Sequence, residues 1–422
     1  MDMSQDTSYD RRNYSEPQGD ETPRPRPAQP KIDTNPHVPA ALPNTSEPLQ
    51  QHSASTDNSL TSILQTPVES YVLYKEDRSP GKGKGLYASR DLAIGTRIMS
   101  HPPVIILPES DAYQTYHNPA LIQRVIALPS DQLKTYLNLP VENRLMQNAR
   151  SRTNAIPTAY QPFVIDMNSE DQARALAIWD THSHLYPGAA SRHRHILNFG
   201  FRMLNHSCTP NAVLSYNNET GMCTVQASKP IHKNEEIFIP YFDILRPHKE
   251  REAAAIKKGF VCLCRICHGY GGEGPARLGV QEDWRCVLTR RPLSAIARDE
   301  PTLASRFIFS RASAIANQYR KLEESVLARL MTLEMMDLVG DEMIACYTAG
   351  IRYAKMAGSV LRACEMASRR VYFAKLVRGA EHPDVVAYRK EWEALGRDAR
   401  VEPGTFEQVV RAFELALKAL GP

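Results

Sequence analysis

Two short stretches of this chain crowd together residues that could do chemistry. In 262-CLCRIC-267, three thiols, Cys262, Cys264 and Cys267, fall within six residues. Zinc takes four soft ligands in a tetrahedron, so three this close call for a fourth from elsewhere. The competing reading is buried thiols or a local disulfide. Cysteines interleaved with Arg and close to Lys are poorly explained by packing, so zinc is favoured. Candidates for the fourth ligand are Cys208, Cys223, Cys286 and His268. Cys208 attracts attention because it sits in 205-NHSCTPNA-212, where an amide, an imidazole, hydroxyls, a thiol and a proline are packed together. A Cys208/His206 nucleophile pair is the lesser reading, since near neighbours in a short segment rarely face each other.

The third stretch is 81-GKGKGL-86. Alternating glycines let a ligand come close to the backbone. A P-loop would need Gly-Lys-Ser/Thr opening a helix, which is absent. A dinucleotide fingerprint would need a βαβ unit, and this loop lies between β-prone segments. Taken alone, the glycines could be no more than a hairpin turn.

The elements that must position these residues can be read from periodicity. Order begins near Val68. YVLY reads as a strand, RSPGKGKG as a loop, LYAS as a strand, and DLAIG as a turn into TRIM and VIIL. From about Leu107 to His195 the spacing turns helical in ALIQRVIAL, SDQLKTYLNL and SEDQARALAIWDTHSHL, with Ser130 and Ser169 as N-caps. AVLSY and CTVQAS alternate across NNETG as a hairpin should, and 235-EEIFIPYFDI-244 is a short strand. Next, 246-RPHKEREAAAIKKG-259 is a basic helix ending at Gly259 and read as a solvated face. From about Leu303 the chain is helical, with stripes Leu322, Val326, Leu330, Leu333 and Val360, Cys364, Ala367, Val371. Asp341 is read as a helix cap, and 381-EHPDVV-386 as a turn into a new helix. Cys346 and Cys364 are read as packing residues.

Composition sets the outer bounds. A chain of 422 residues with 42% hydrophobic content can fold into two or three domains. The formal charge of +4, from 51 basic and 47 acidic residues, is mild and neither demands nor excludes nucleic acid; direct nucleic-acid binding is not expected. No apolar run is long enough to span a membrane, and the first residues have no apolar secretory core. The eight cysteines do not form a disulfide framework. That usage suits a reducing compartment, nucleus or cytoplasm. Residues 1–67, rich in Pro, Ser, Thr, Gln and Asn and including 22-TPRPRPAQP-30, are expected to be a disordered tail.

Taken together, four motifs in this order resemble the SET-domain protein lysine methyltransferases. They are 81-GKGKGLYASRDLAIG-95, 205-NHSCTPN-211, 235-EEIFIPYFD-243 and a post-SET-like 259-GFVCLCRIC-267. The likeness covers roughly residues 68 to 270. Its helical C-terminus is similar to the SET-and-MYND subfamily. No cysteine lies between Met99 and Asn205, so the MYND finger is missing, as in fungal-type relatives. The resemblance implies an α+β chain: a β-rich SET fold with a helical insertion, a post-SET zinc element and an all-α C-terminal domain of tetratricopeptide-like helical hairpins. Its boundaries would be 68–104 and 196–245 for the SET parts, 105–195 for the insertion, 246–270 for the zinc element and 271–422 for the helical domain.

The same resemblance implies a site. Lys82, Gly83, Lys84, Gly85 and Leu86 would line an S-adenosylmethionine pocket, Asn205 and His206 would hold that cofactor's ends, and Phe260 would cover its adenine. Tyr241 would be the catalytic tyrosine, also touching the cofactor. Cys208, Cys262, Cys264 and Cys267 would bind zinc. The substrate would be a protein with an accessible lysine, histones among the possibilities, and a peptide or protein partner could sit on the helical domain. Two departures stand out. Pro240 replaces the family's usual Ser or Thr and removes a backbone N–H before Tyr241. It motivates a second reading, a catalytically weak scaffold. Asn234 stands in place of a turn glycine and tolerates a left-handed backbone.

Overall fold

The computed structural model describes residues 72–112, 118–154, 167–186, 194–268, 275–301 and 312–398. The expected tail 1–67 lies outside them. The first strands, β1 (Tyr74–Ser79) and β2 (Gly83–Ala88), form an antiparallel hairpin. Strand β1 thus starts at the end of YVLY and takes up the start of the expected loop. Gly81 (φ +72°) and Gly83 (φ +84°) supply the left-handed backbone that tightens the turn. Strands β3 (Arg97–His101) and β4 (Ile105–Pro108) follow as TRIM and VIIL predict.

The helical block contains α1 (Glu109–Ala112), α2 (Pro119–Ile126), α3 (Ser130–Leu137), α4 (Asn143–Asn154) and α5 (Ser169–His182). Both expected caps fall one residue early. Asn168, not Ser169, accepts from the Asp171 amide, and Pro129 stands before Ser130 with no side-chain cap bond. An Asn ahead of Ser-Glu-Asp satisfies the orphan amide just as well. Leu121, Val125, Tyr136, Leu176 and Trp179 make this block's own core. The block is framed by strands: β5 (Ser183–Tyr186) and β6 (Arg194–Leu197) join β4 in the order β4-β6-β5.

Strands β7 (Asn205–His206), β8 (Ala212–Asn217), β9 (Met222–Ala227) and β10 (Phe238–Ile239) complete the β part. The hairpin β8–β9 turns on Gly221, and β9 pairs with β3, giving the order β3-β9-β8. Strand β10 is only two residues long because Pro240 offers no N–H to extend it. Its partner is β7, in parallel, with Phe238 opposite Asn205 and Ile239 opposite His206. Asn234 has φ +66°, as its place in the turn requires.

Helices α6 (His248–Lys257) and α7 (Arg265–His268) flank the cysteine run. Gly259 ends the first of them with φ +87°. The expectation of a solvated basic helix is corrected at Arg251, which is fully buried, and at Lys258, which is half-buried, while Lys249, Glu250 and Glu252 face solvent. Lys258 donates from Nζ to the carbonyls of Ser183 (2.9 Å) and Asp180 (3.2 Å). Burial lowers its pKa to about 8 from an ordinary 10.5. Between those values the unfolded chain binds the extra proton, so stability rises with pH. Wild type is expected to gain urea resistance relative to Lys258→Met from pH 8 to 10, with a constant gap below pH 7.

The C-terminal helices are α8 (Pro275–Arg290), α9 (Leu293–Arg298), α10 (Ala312–Met335), α11 (Asp341–Met356), α12 (Val360–Arg378) and α13 (Pro383–Asp398). From α10 onward each packs on the next. Leu322, Val326, Leu330 and Leu333 are all buried, each contributing about 1.5–3 kcal/mol. In the second stripe Cys364, Ala367 and Val371 are buried, but Val360, at the helix start, is exposed. The cap of α11 is Gly340. Asp341 lies in the first turn, paired with Arg378. The helical part seats on the sheet: α12 packs on β8 and β9, Lys229 pairs with Asp337 (2.7 Å), and Arg97 pairs with Glu381. No helix among the described residues is long and apolar enough to cross a membrane.

Candidate functional site

The parallel pairing of β7 with β10 brings three distant segments to one point. Asn211, last residue of NHSCTPN, fastens it. Its Nδ2 donates to the carbonyl of Glu236 (2.9 Å) and its Oδ1 accepts from the Phe238 amide (2.8 Å). Asn205 reaches the glycine hairpin, donating from Nδ2 to the Lys84 carbonyl (3.0 Å) and to Glu236 Oε1 (2.7 Å). The largely buried Glu236 also accepts from Ser79 Oγ (2.9 Å) and faces Lys82 Nζ at 3.7 Å. Glu236 was not predicted as a site residue, because EEIFI reads only as the start of a strand.

The glycines divide by role. A Cβ on Gly85 would lie 2.3 Å from Glu236 Oε1 and 2.9 Å from Asn205 Nδ2, so this glycine makes room for the polar knot. A Cβ on Gly83 would meet nothing within 4 Å. There the backbone is open to a ligand. Leu86 is buried in the sheet core. The Lys84 side chain turns outward to pair with Glu76, leaving its backbone to the site. Lys82 Nζ lies 4.1 Å over the Phe238 ring.

His206 is buried and its ring is fully engaged. Nδ1 accepts from the Tyr241 amide (3.1 Å), and Nε2 lies 3.4 Å from Cys208 Sγ, so these near neighbours do face each other, against expectation, although Cys208 also joins the cysteine cluster. Burial lowers its pKa to about 4, so it is neutral at physiological pH. What it can offer a ligand is therefore its backbone. Tyr241 is held at both ends, by its amide on His206 and by its hydroxyl, which donates to the Leu204 carbonyl. Pro240 leaves both of these bonds in place. The strand has already ended, and His206 rather than a ladder carbonyl takes the next amide. Burial raises the Tyr241 pKa above its ordinary value, so the hydroxyl remains protonated and is a donor, not a base.

Around Tyr241 the rings of His184, His206 and Phe260 stand at 5.0, 5.4 and 5.7 Å between centroids. His184 was not singled out from sequence. It is buried, and desolvation keeps it neutral. Phe260 also lies near Phe242, stacked at 6.3 Å. The resulting aromatic wall has the Cys262–Cys267 run directly behind it.

The metal assignment can be tested on geometry. The sulfurs of Cys208, Cys262, Cys264 and Cys267 lie within 4.8 Å of one another. The Cys208 Sγ stands 3.9 Å from Cys262 and 3.7 Å from Cys267. A zinc tetrahedron with bonds of about 2.3 Å has edges of about 3.8 Å, whereas a disulfide would bring two sulfurs to about 2.0 Å. The donor set and spacing fit zinc. Of the four candidates for the last ligand, Cys208 joins the group. Cys223, Cys286 and His268 do not. Binding a divalent cation would draw the protons from all four thiols, so affinity for it rises with pH.

Comparison with known proteins follows the same lines. Residues 83–242 match the SET domain. Set5 of Schizosaccharomyces pombe, a histone-lysine N-methyltransferase, is 29% identical over 196 residues, 46% of this chain and 50% of that one. SMYD2-B of Xenopus laevis, an N-lysine methyltransferase, is 32% identical over 107 residues, 25% of this chain and 23% of that one. The chain thus spans half or less of these relatives' lengths. A crystal structure of the SET domain of LSMT bound to lysine and AdoHcy aligns over 78% of this chain and 88% of that one, at 12% identity and a TM-score of 0.33.

Proposed function

We propose, on the premise that residues 83–242 form a SET domain, that this chain transfers a methyl group from S-adenosylmethionine to a lysine side chain of a protein. The observation that carries this reading is the strand Asn205–His206, which holds the glycine hairpin through Asn205 and Tyr241 through His206, with the half-buried, protonated Tyr241 hydroxyl beside the aromatic wall. The relatives named as lysine methyltransferases support the acceptor class.

S-adenosylmethionine supplies a methyl on a positively charged sulfur. In the transfer, the S–CH3 bond breaks as an N–CH3 bond forms, the sulfur becomes a neutral thioether, and the amine's proton leaves to water. The chain's residues supply position, which can account for much of the rate. Gly83 leaves backbone exposed, Asn205 and Glu236 set the hairpin against β7, and Lys82 is paired with Glu236. The Tyr241 hydroxyl and the Leu204 carbonyl fix a dipole where the amine and methyl would meet. Neutral His184 and His206 add no positive charge to repel a lysine ammonium. Tyr241 anchored at both its amide and its hydroxyl supports the catalytic reading over the scaffold.

The test is methyl transfer by zinc-loaded full chain, using isotopically labelled S-adenosylmethionine, histones and a cell-extract panel. Label on lysine is the expected result. A folded, zinc-loaded chain that neither binds cofactor nor labels any protein would sink the reading. Within the pocket, Gly85→Ala is expected to force Glu236 and Asn205 apart, at about 1–3 kcal/mol of overpacking. Calorimetry should show cofactor affinity weakened at least about tenfold, as expected from a loss of about 1.4 kcal/mol in binding.

A further inference from the structure

A zinc ion at this site would leave its four thiolate ligands with excess negative charge. Four thiolates around one divalent cation carry two net negative charges, and Cys208, Cys262 and Cys264 are buried. A buried charge of that size is costly unless it is paired. Beside it lie two arginines with no side-chain exposure, Arg251 of α6 and Arg285 of α8. Arg251 Nη2 stands 3.7 Å from Cys267 Sγ and 2.7 Å from Glu282 Oε1. Its Nη1 donates to the Arg246 carbonyl at 2.6 Å, and its buried Nε has no hydrogen-bond partner. Arg285 donates from Nη2 to the Cys208 carbonyl (3.2 Å) and from Nε to the Ile244 carbonyl (2.9 Å). Glu282 lies between them, 3.7 Å from Arg285 Nη1, and accepts from the His248 amide at 2.9 Å.

Two guanidiniums and one carboxylate leave this pocket with one unbalanced positive charge. A zinc–tetrathiolate next to it would offset that charge and have its own excess halved, leaving one net negative charge. Neither arginine contacts the glycine hairpin or Tyr241 through a hydrogen bond described above, so nothing assigns them to the transfer reaction. Arg251 instead reaches Cys267 and Glu282, and Arg285 joins helix α8, which begins the helical part of the chain, to the Cys208 and Ile244 carbonyls.

We infer that Arg251, Glu282 and Arg285 form the outer part of the metal centre, so that metal binding and the seating of α8 stabilise each other. Thermodynamic coupling is reciprocal. If the arginines hold the metal, the metal holds the helix that carries Arg285 and Glu282. The helical domain and the Phe260 wall are then tied to the same ion. This rests on the zinc reading but not on methyl transfer, and its readouts are independent of activity.

The experiment uses the full zinc-loaded chain. Zinc release to a chromogenic chelator is expected to be about tenfold faster in Arg251→Met, the scale of an outer-shell loss, and close to wild type in Arg251→Lys, which keeps the charge. In unmodified protein, stripping zinc with EDTA should raise hydrogen exchange in α8 more than in α12. Equal release from all three proteins would overturn the inference, as would an exchange change that is absent or spread evenly over the helices, or a wild-type chain that holds no zinc. The exchange arm stands alone if the Met variant does not fold.

Discussion

Tyr241→Phe should leave the chain folded and zinc-loaded while methyl transfer falls by about a hundredfold or more, the scale for removing one preorganised donor. The ring would keep its place against His184, His206 and Phe260, and the amide would still donate to His206. Only the hydroxyl's bond to the Leu204 carbonyl is lost, at about 1 kcal/mol of stability. Single-turnover rates with saturating cofactor, beside zinc content and a melting curve, separate chemistry from folding. An unchanged rate would remove Tyr241 from the reaction and revive the scaffold reading that Pro240 suggested.

The second large effect is expected from Cys208→Ser. A serine hydroxyl is a poor zinc ligand, and Cys208 is the one sulfur supplied from outside the 262–267 run. Zinc should fall from one per chain to near none. The consequence extends further because Cys208 lies two residues from His206, whose Nε2 faces it at 3.4 Å and whose Nδ1 holds the Tyr241 amide. Without the metal, the segment carrying Phe260 loses its anchor. Cofactor affinity should fall by at least about tenfold in the same variant, about 1.4 kcal/mol. Zinc retained in full, measured by elemental analysis, would show that Cys208 is not a ligand.

Much of this site could be read from residue types and spacing. The metal set follows from three clustered thiols and the need for a fourth, and the geometry selects Cys208 from the open candidates. The hairpin β8–β9 follows from alternation around NNETG. Tyr241 and the glycine hairpin came from resemblance, since a strand tyrosine and a Gly-x-Gly turn are each common. What sequence hid is the set of groups defined by burial. Glu236 reads as a surface acid until Gly85 and Asn205 close on it. Arg251 reads as part of a solvated helix until α8 packs against it. His184 lies in a histidine-rich run whose pattern does not say which ring meets Tyr241. The helix caps slipped by one residue: Asn168 caps as well as Ser would, while Gly340 and Pro129 open their helices with no side-chain cap bond.

The central claim is that a cofactor pocket and a zinc centre share the segment from Asn205 to Cys208. It is tested most directly by calorimetric titration of the wild-type chain with S-adenosylhomocysteine, first zinc-loaded, then stripped with chelator, then reloaded. Binding at one site per chain that is lost on stripping and restored by zinc is the predicted result. Equal affinity in all three states, with zinc content confirmed at each step, would contradict it.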